Sequence, residues 1–419
     1  LRSRDLLAAR AQWQSALRVA DELPGDHGEV IALRIAPRTM LVSTELFAGS
    51  DPNNEQRFRE LRELRELTSQ VGDRRSLAIA MAGRIMTFSV NARRTLEVAP
   101  LAAELEHLVD ELHTAPTEEL EILLTAVIFA HIDCCEFDEV LRIIDRTLAL
   151  PLQRPTIDRA VAYALRGLTE VCLGNREQGV ADLHRGTALA REMTPVSYSA
   201  ILIYWGVLAG MGLYLADELL EDMRDALRRA EAFGDRFGII AAQWVYGVVL
   251  LRSDPASRVE AIGVLERARA NIERHSLQSF ALGIIVAELA EDAAMGGRRY
   301  EAIERLNTQV AMHSSDAPFL YFPCAAEPLI ELLTERGRPA DLQEAHRLIE
   351  FWRVRRSNAP AMDLWWLKSL ALLAEANGDS RAYLELAQQY LESCEELGAT
   401  ERIAEAERLI ARSAGTRGG

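Results

Sequence analysis

Residues 131–139 read His131-Ile132-Asp133-Cys134-Cys135-Glu136-Phe137-Asp138-Glu139. An imidazole, two adjacent thiols and four carboxylates are the donors of a zinc site or of a vicinal dithiol redox pair. His131 and Cys135 stand four apart and share a face of a helix, which makes them weak metal candidates, whereas Cys134 turns about 100° away from Cys135. A structural zinc takes four ligands, and no second Cys-x-x-Cys or His-x-x-x-His pair occurs to complete the set. Glu136, Asp138 and Glu139 suit a helix N-terminus through its dipole alone. The stretch therefore reads as a turn between two helices with inert thiols, and no metal is expected.

Other chemistry-bearing residues are sparser. The eight histidines are scattered along the chain and suggest neither a triad nor a ligand set. Lys368 is the single lysine among 47 basic residues, and Lys368-Ser369 follows Leu364-Trp365-Trp366-Leu367 rather than the glycine-rich turn of a phosphate-binding loop. A Gly-x-Gly-x-x-Gly fingerprint is also missing from the sequence. We therefore assign no catalytic residue and no cofactor to this chain, and expect it to turn over no ATP. A formal net charge of −16 argues against a nucleic-acid partner. Five cysteines, an odd number, form no disulfide framework, which favours a reducing cytoplasm. Leu1, where an initiator Met would stand, suggests a piece of a longer polypeptide.

The elements that would position these residues are helices. Apolar residues recur with helical period along the 419 residues, and strand signals are nearly absent. The uncharged run Met193–Ala216 contains Pro195, Ser197 and Ser199, leaving 17 apolar residues from Ala200. At 1.5 Å each these span about 25 Å, short of a roughly 30 Å hydrocarbon core. A buried helix is expected instead of a membrane span, with Gly206 and Gly210 admitting a close neighbour.

Breakers recur at Gly49-Ser50-Asp51-Pro52, Asn91, Cys135-Glu136, Gly174-Asn175, Leu215-Ala216, Ser253-Asp254-Pro255, Gly296-Gly297, Gly337-Arg338-Pro339 and Gly378-Asp379. From Gly49 to Gly378 they cover 329 residues in eight intervals, about 41 each. Gly72-Asp73-Arg74, Gly234-Asp235-Arg236 and Gly398-Ala399-Thr400 form a second series, spaced by 162 and 164 residues, close to four periods. Glycine takes the left-handed position ending one helix, and Asp73, Asp235 or Thr400 caps the next. The pattern predicts an all-α, tetratricopeptide-like superhelix of about nine antiparallel helix pairs with a period near 41 residues. It is continuous over 1–413, with flanking helices at roughly 5–22 and 400–413 and a flexible tail at 414–419.

Aromatic residues concentrate in the first helix of several pairs. Tyr204, Trp205, Trp244, Tyr246, Phe280, Tyr321, Trp365 and Trp366 are candidates to line a concave groove that receives a peptide, a protein or a small inducer. The competing expectation is that these rings fill the space between repeats. Adjacent Trp365 and Trp366 cannot both face one way.

Two stretches carry a family resemblance. EAFGDRFGIIAAQWVYGVVLL (Glu231–Leu251) and MDLWWLKSLALLAEANGDSRAYLELAQQYLESCEELGATERIAEAERLI (Met362–Ile410) resemble the C-terminal region of large actinobacterial, especially mycobacterial, signalling proteins. Those carry a class III adenylate/guanylate cyclase domain, an AAA-type ATPase module and a long tetratricopeptide-like array. The family's tail pattern maps onto Leu370–Ala376, Gly378-Asp379, Arg381-Ala382-Tyr383, Leu384–Leu397, Gly398 and Glu401–Ile410. Its usual Gly-Phe-Glu-Gly-like turn is replaced by Gly398-Ala399-Thr400-Glu401.

The resemblance implies a parent that binds ATP and Mg and makes cyclic AMP, with this chain as its sensing or partner-binding arm against the upstream ATPase and cyclase domains. No residue here matches the cyclase's metal-binding carboxylates, substrate lysine or nucleotide loop. One alternative is the inducer-binding domain of an ATPase-type transcriptional regulator with a helix-turn-helix beyond the array, an expectation weakened by the polar ending ARSAGTRGG. A standalone interaction scaffold is the other.

Overall fold

The computed structural model describes residues 3–49, 54–92, 95–151, 154–216, 219–316, 319–355, 357 and 359–415. Among these residues every regular element is helical. Helix α1 (Ser3–Glu22) precedes a first pair, α2 (Gly28–Ser43) and α4 (Asn54–Val71), joined through the one-turn α3 (Glu45–Ala48). The next pairs are α5 (Arg74–Thr87) with α6 (Thr95–Glu111), α7 (Thr117–Asp133) with α8 (Phe137–Leu148), and α9 (Ile157–Cys172) with α10 (Arg176–Arg191). They continue as α11 (Pro195–Gly210) with α12 (Leu219–Phe233), α13 (Arg236–Ser253) with α14 (Arg258–His275), and α15 (Leu282–Met295) with α16 (Arg299–Asp316). The array ends with α17 (Phe322–Arg336) and α18 (Pro339–Arg355), α19 (Pro360–Ala376) and α20 (Ser380–Leu397), and a last helix, α21 (Thr400–Gly415). These are the nine pairs and two flanking helices that the 41-residue spacing implied. Of the tail expected at 414–419, residues 414 and 415 belong to α21, and 416–419 lie outside the described residues.

The turn chemistry explains the regularity. Gly72 and Gly234 sit in left-handed conformation at φ 71° and 79°, which a glycine adopts without steric cost. The aspartates that follow then cap the next helix, Asp73 accepting from the Ser76 N–H at 3.0 Å and Asp235 from Gly238 N–H at 3.1 Å. The third expected cap differs: α21 begins on Thr400 itself.

Each first helix packs on the first helix of the next pair, so α2, α5, α7, α9, α11, α13, α15, α17 and α19 form a continuous inner layer. This explains why α11 and α13 are apolar nearly all round: neighbours cover them on every side. A Cβ at Gly206 would come within 2.8 Å of Val245, and one at Gly210 within 2.5 Å of Ile284, so both glycines admit the close approach the sequence implied. No helix among the described residues is long and apolar enough to cross a membrane.

The inner layer does not leave an open channel. The superhelix turns far enough that distant segments meet: the Gln278 N–H donates to Asn91 Oδ1 at 2.8 Å, and Arg402 Nε donates to the Met211 carbonyl at 2.9 Å. Arg176 reaches the Gly398 carbonyl across 222 positions. The interior is thereby divided into separate, partly open chambers.

Helices α9 and α10 cross with glycine facing glycine. A Cβ at Gly167 would lie 2.6 Å from the Gly179 carbonyl oxygen, and one at Gly179 lies 2.7 Å from that of Gly167. Gly167→Ala is therefore expected to lower stability by about 1–3 kcal/mol, despite alanine's intrinsic helical advantage of about 1 kcal/mol. Urea denaturation measures it; an unchanged or raised midpoint would show that the two backbones part without loss.

Candidate functional site

The stretch that opened the sequence analysis is the α7–α8 turn, but its two candidate ligands have other company. His131 Nδ1 is hydrogen-bonded to Glu136 at 2.6 Å. Cys135 occupies the left-handed turn position at φ 58° with its side chain buried, and burial raises its thiol pKa well above the usual value. Among the described residues no group of three or more His, Cys, Asp or Glu is arranged to hold a metal ion. The residue of that stretch with unmatched chemistry is Asp133, which sequence reasoning passed over.

Asp133 opens into an apolar chamber of about 240 Å³ between the first helices of several pairs. Helix α7 contributes Thr125, Phe129 and Asp133, spaced four apart and therefore on one stripe. Helix α9 adds Asp158 from its first turn, and the π-helical end of α5, Phe88–Ala92, adds Ser89. Tyr204 comes from α11, while Phe280 and Tyr321 come from short 3-10 turns leading into α15 and α17. The Phe280 and Tyr321 rings pack at 5.2 Å between centroids, and Phe47, which is 44% exposed, stands at the rim. Among the described residues the lining contains two carboxyl groups and no Lys, Arg or His.

Polar satisfaction fails here in a concentrated way. Asp133 Oδ2, Ser89 Oγ and Thr125 Oγ1 are buried with no partner in good hydrogen-bonding geometry, although Ser89 lies close enough to Asp133, and Thr125 to Asp158, to ease the ionisation of those carboxyls. Each such orphan costs about 1–3 kcal/mol. Burial pushes the Asp133 carboxyl up to about 8, with the nearby Ser89 hydroxyl pulling the other way. Burial and the neighbouring Glu121 charge likewise raise Asp158 to about 6. Tyr204 and Tyr321 are raised by burial and by proximity to Asp133, so both phenols remain protonated.

A second, larger chamber of about 580 Å³ is lined by charge. Lys368 on α19 lies 2.7 Å from Glu327, 3.0 Å from Glu331 and 2.5 Å from Glu405. Arg402 on α21 reaches Glu327 at 3.2 Å, and Arg252 on α13 bridges Glu288 at 2.6 Å and Glu401 at 2.7 Å. Burial alone would lower the Lys368 pKa, but the carboxylates outweigh it and hold the ammonium well above its usual range. Burial raises Glu405, yet Lys368 and Arg402 win and bring it to about 2. This chamber is electrically self-complementary, and its charges fasten the last helix to the middle of the array.

The aromatic groove expected from sequence is corrected by this geometry. Trp205 and Trp244 have no accessible surface and Tyr246 retains 4%, so these three rings are core. Their polar atoms are engaged internally: Trp205 Nε1 donates to Thr187 at 2.9 Å, Trp244 Nε1 to Gln278 at 3.0 Å and the Tyr246 hydroxyl to Glu260 at 2.9 Å. The reason is the number of neighbours: a first helix contacts both adjacent repeats and its own partner, leaving little ring surface toward the axis. Tyr204, Phe280 and Tyr321 do converge, in the apolar chamber. Trp365 lines the charged one, with the Arg402 guanidinium 5.1 Å over its ring, while the half-buried Trp366 borders a different cleft.

Two outcomes follow from these charges. The folded-state value of about 8 for Asp133 lies above the ordinary 3.8, so the folded chain keeps a proton that the unfolded chain releases. Its contribution to stability is complete below pH 3.8 and is lost as pH rises through about 8. Asp133→Asn, which resembles the protonated acid, should flatten that decline in urea midpoints measured across this range; a steeper decline would mean that Asp133 is charged and paired. Lys368→Met strands buried carboxylates and should cost about 3–5 kcal/mol, with amide exchange rising first in α21. A loss under about 1 kcal/mol, the worth of an exposed pair, would show that the cluster does not hold the helix.

No family model matches the sequence, and no curated protein matches it. Among solved structures, a Rap protein complexed with competence and sporulation factor is similar over 82% of this chain and 98% of its own, with 12% identity and a TM-score of 0.48. NprR in complex with its cognate peptide NprX aligns over 81% of this chain and 98% of its own, at 14% identity and a TM-score of 0.48. The apo form of the quorum sensor NprR from B. thuringiensis aligns over 83% and 99%, at 12% identity and a TM-score of 0.42. The chain is thus an all-α, tetratricopeptide-like helical-repeat protein, as its nine helix pairs establish directly.

Proposed function

We propose that this chain is a non-catalytic sensor, a helical-repeat array that encloses a ligand in its apolar chamber and passes the occupied state to a partner protein or domain. The observation that supports this reading is the cluster of orphaned buried polar atoms, Asp133 Oδ2, Ser89 Oγ and Thr125 Oγ1, facing one apolar cavity. Native interiors satisfy nearly all such groups, and a shared exception marks a place completed from outside the chain. Two helices give the chamber a route outward. Helix α11 carries Tyr204 in the chamber, and Met211 just beyond its end accepts from Arg402. Tyr321 in the chamber leads directly into α17, which carries Glu327 of the ion cluster. A ligand that shifts either helix acts on the seat of α21. On the resemblance at Glu231–Leu251 and Met362–Ile410, the recipient of the signal is an ATP-binding cyclase or ATPase module.

The neutral fluorophore N-phenyl-1-naphthylamine tests whether the chamber takes a ligand. Saturable one-site binding with enhanced emission is expected, and Ala200→Phe, which narrows the chamber from α11, should abolish it while leaving the helical circular dichroism intact. Equal uptake by the variant, or no uptake by either protein, would remove the basis for this function.

A further inference from the structure

The apolar chamber has a definite electrostatic sign. Two carboxyl groups enter it, from α7 and α9, and no cationic side chain lines it. The charges facing Asp133 from neighbouring elements are also no counter-ions: Tyr204 and Tyr321 are neutral phenols, Asp158 is acidic, and Cys134 and Cys135 carry thiols held protonated by burial. Several buried carboxylates elsewhere have an arginine, as Glu121 has Arg159 at 3.2 Å and Asp182 has Arg166 at 2.7 Å. Among the described residues the chamber thus holds acceptors with no positive partner. Its remaining walls are aromatic and aliphatic, including Phe129, Phe280, Tyr204 and Tyr321. Ring faces attract ammonium ions through their quadrupoles, and the attraction strengthens when water is excluded.

Resting on the sensor reading above, we propose that the apolar chamber is a receptor site for a small organic cation with an apolar body, its ammonium taken up by Asp133 and Asp158 and its body clasped by Phe280, Tyr204 and Tyr321. The enclosed volume of about 240 Å³ favours a free small molecule over a peptide. The Ser89 hydroxyl beside Asp133 and the Thr125 hydroxyl beside Asp158 complete the polar end. Binding converts a carboxylic acid into a paired carboxylate. The proton held by Asp133 in the empty chamber leaves to solvent as the cation enters, and occupancy tightens as pH rises.

Isothermal titration of the whole chain with n-hexylammonium, n-hexanol and hexanoate separates charge from shape, because the three share one body. Hexylammonium is expected to bind about thirtyfold more tightly than hexanol, the worth of one charge-assisted hydrogen bond to the Asp133 carboxylate, and hexanoate least. Asp133→Asn should bring hexylammonium close to hexanol while leaving hexanol binding unchanged, and Asp158→Asn should act in the same direction. Titration near neutral pH in two buffers of different ionisation enthalpy should report proton release by the unmodified chain and none by Asp133→Asn. Equal binding of hexanol and hexylammonium would overturn the cation assignment while keeping the chamber as a ligand site. Binding of none of the three would overturn the assignment and, together with failure of the naphthylamine probe, the sensor reading as well. Tighter binding of a capped peptide with a central lysine than of hexylammonium would overturn the assignment to a free small molecule.

Discussion

Lys368 is the only lysine of the chain, and its ammonium is buried against three carboxylates contributed by α17 and α21. Arg402 on α21 shares Glu327 with it, and Arg252 on α13 holds Glu401. Ion pairs of this burial contribute little net stability against an apolar substitute, but breaking them is costly, since the abandoned charge stays inside. Their consequence is geometric. They commit the last helix of a superhelix to the middle of the same superhelix, and that commitment divides the interior into chambers. Arg176 with the Gly398 carbonyl and Asn91 with Gln278 make the same kind of long-range contact elsewhere around the ring.

Closure decides the character of the site. A solenoid that stays open presents side chains to water and to partners along a long face, so its aromatic rings are contact surface. Here the inner helices touch neighbours on nearly all sides, and most of those rings become packing. The surface left over at the apolar chamber is small and, among the described residues, of one electrostatic sign. Enclosure raises the cost of the unpaired groups at Asp133, Ser89 and Thr125 and by the same token raises what an arriving partner for them would gain. The low effective dielectric that pushes the Asp133 carboxyl upward also makes the chamber sensitive to a single positive charge.

The two chambers are mechanically adjacent. Helices α11 and α17 each have one end at the apolar chamber and another at the ion cluster, so their seating is common to both. The ion cluster has discrete partners, Glu327 shared between Lys368 and Arg402. Such shared contacts allow rearrangement between alternative pairings, the physical requirement for a switch rather than a gradual deformation.

Much of the architecture was legible in the sequence because it rests on local chemistry. The left-handed glycines at 72 and 234, the capping aspartates that follow them, and the 41-residue recurrence of breakers act over a few residues, so they announce helix ends wherever the chain goes next. The close glycines of α11 were legible for a related reason, since an uncharged run too short for a membrane must be buried by protein. What the local pattern does not contain is the sign and extent of closure, which sum small rotations over nine pairs. That sum decides whether Trp244 meets water or Gln278, and of the two expectations the sequence left open for this ring, packing is the one realised. The same holds within residues 131–139: spacing drew attention to His131 and Cys135, which share one helix face, while the residue left unmatched is Asp133. Its neighbours Ser89, Tyr204 and Tyr321 come from three other segments, up to 188 positions away. Periodicity reports which residues face inward; only the assembled fold determines which inward residues find partners and which do not.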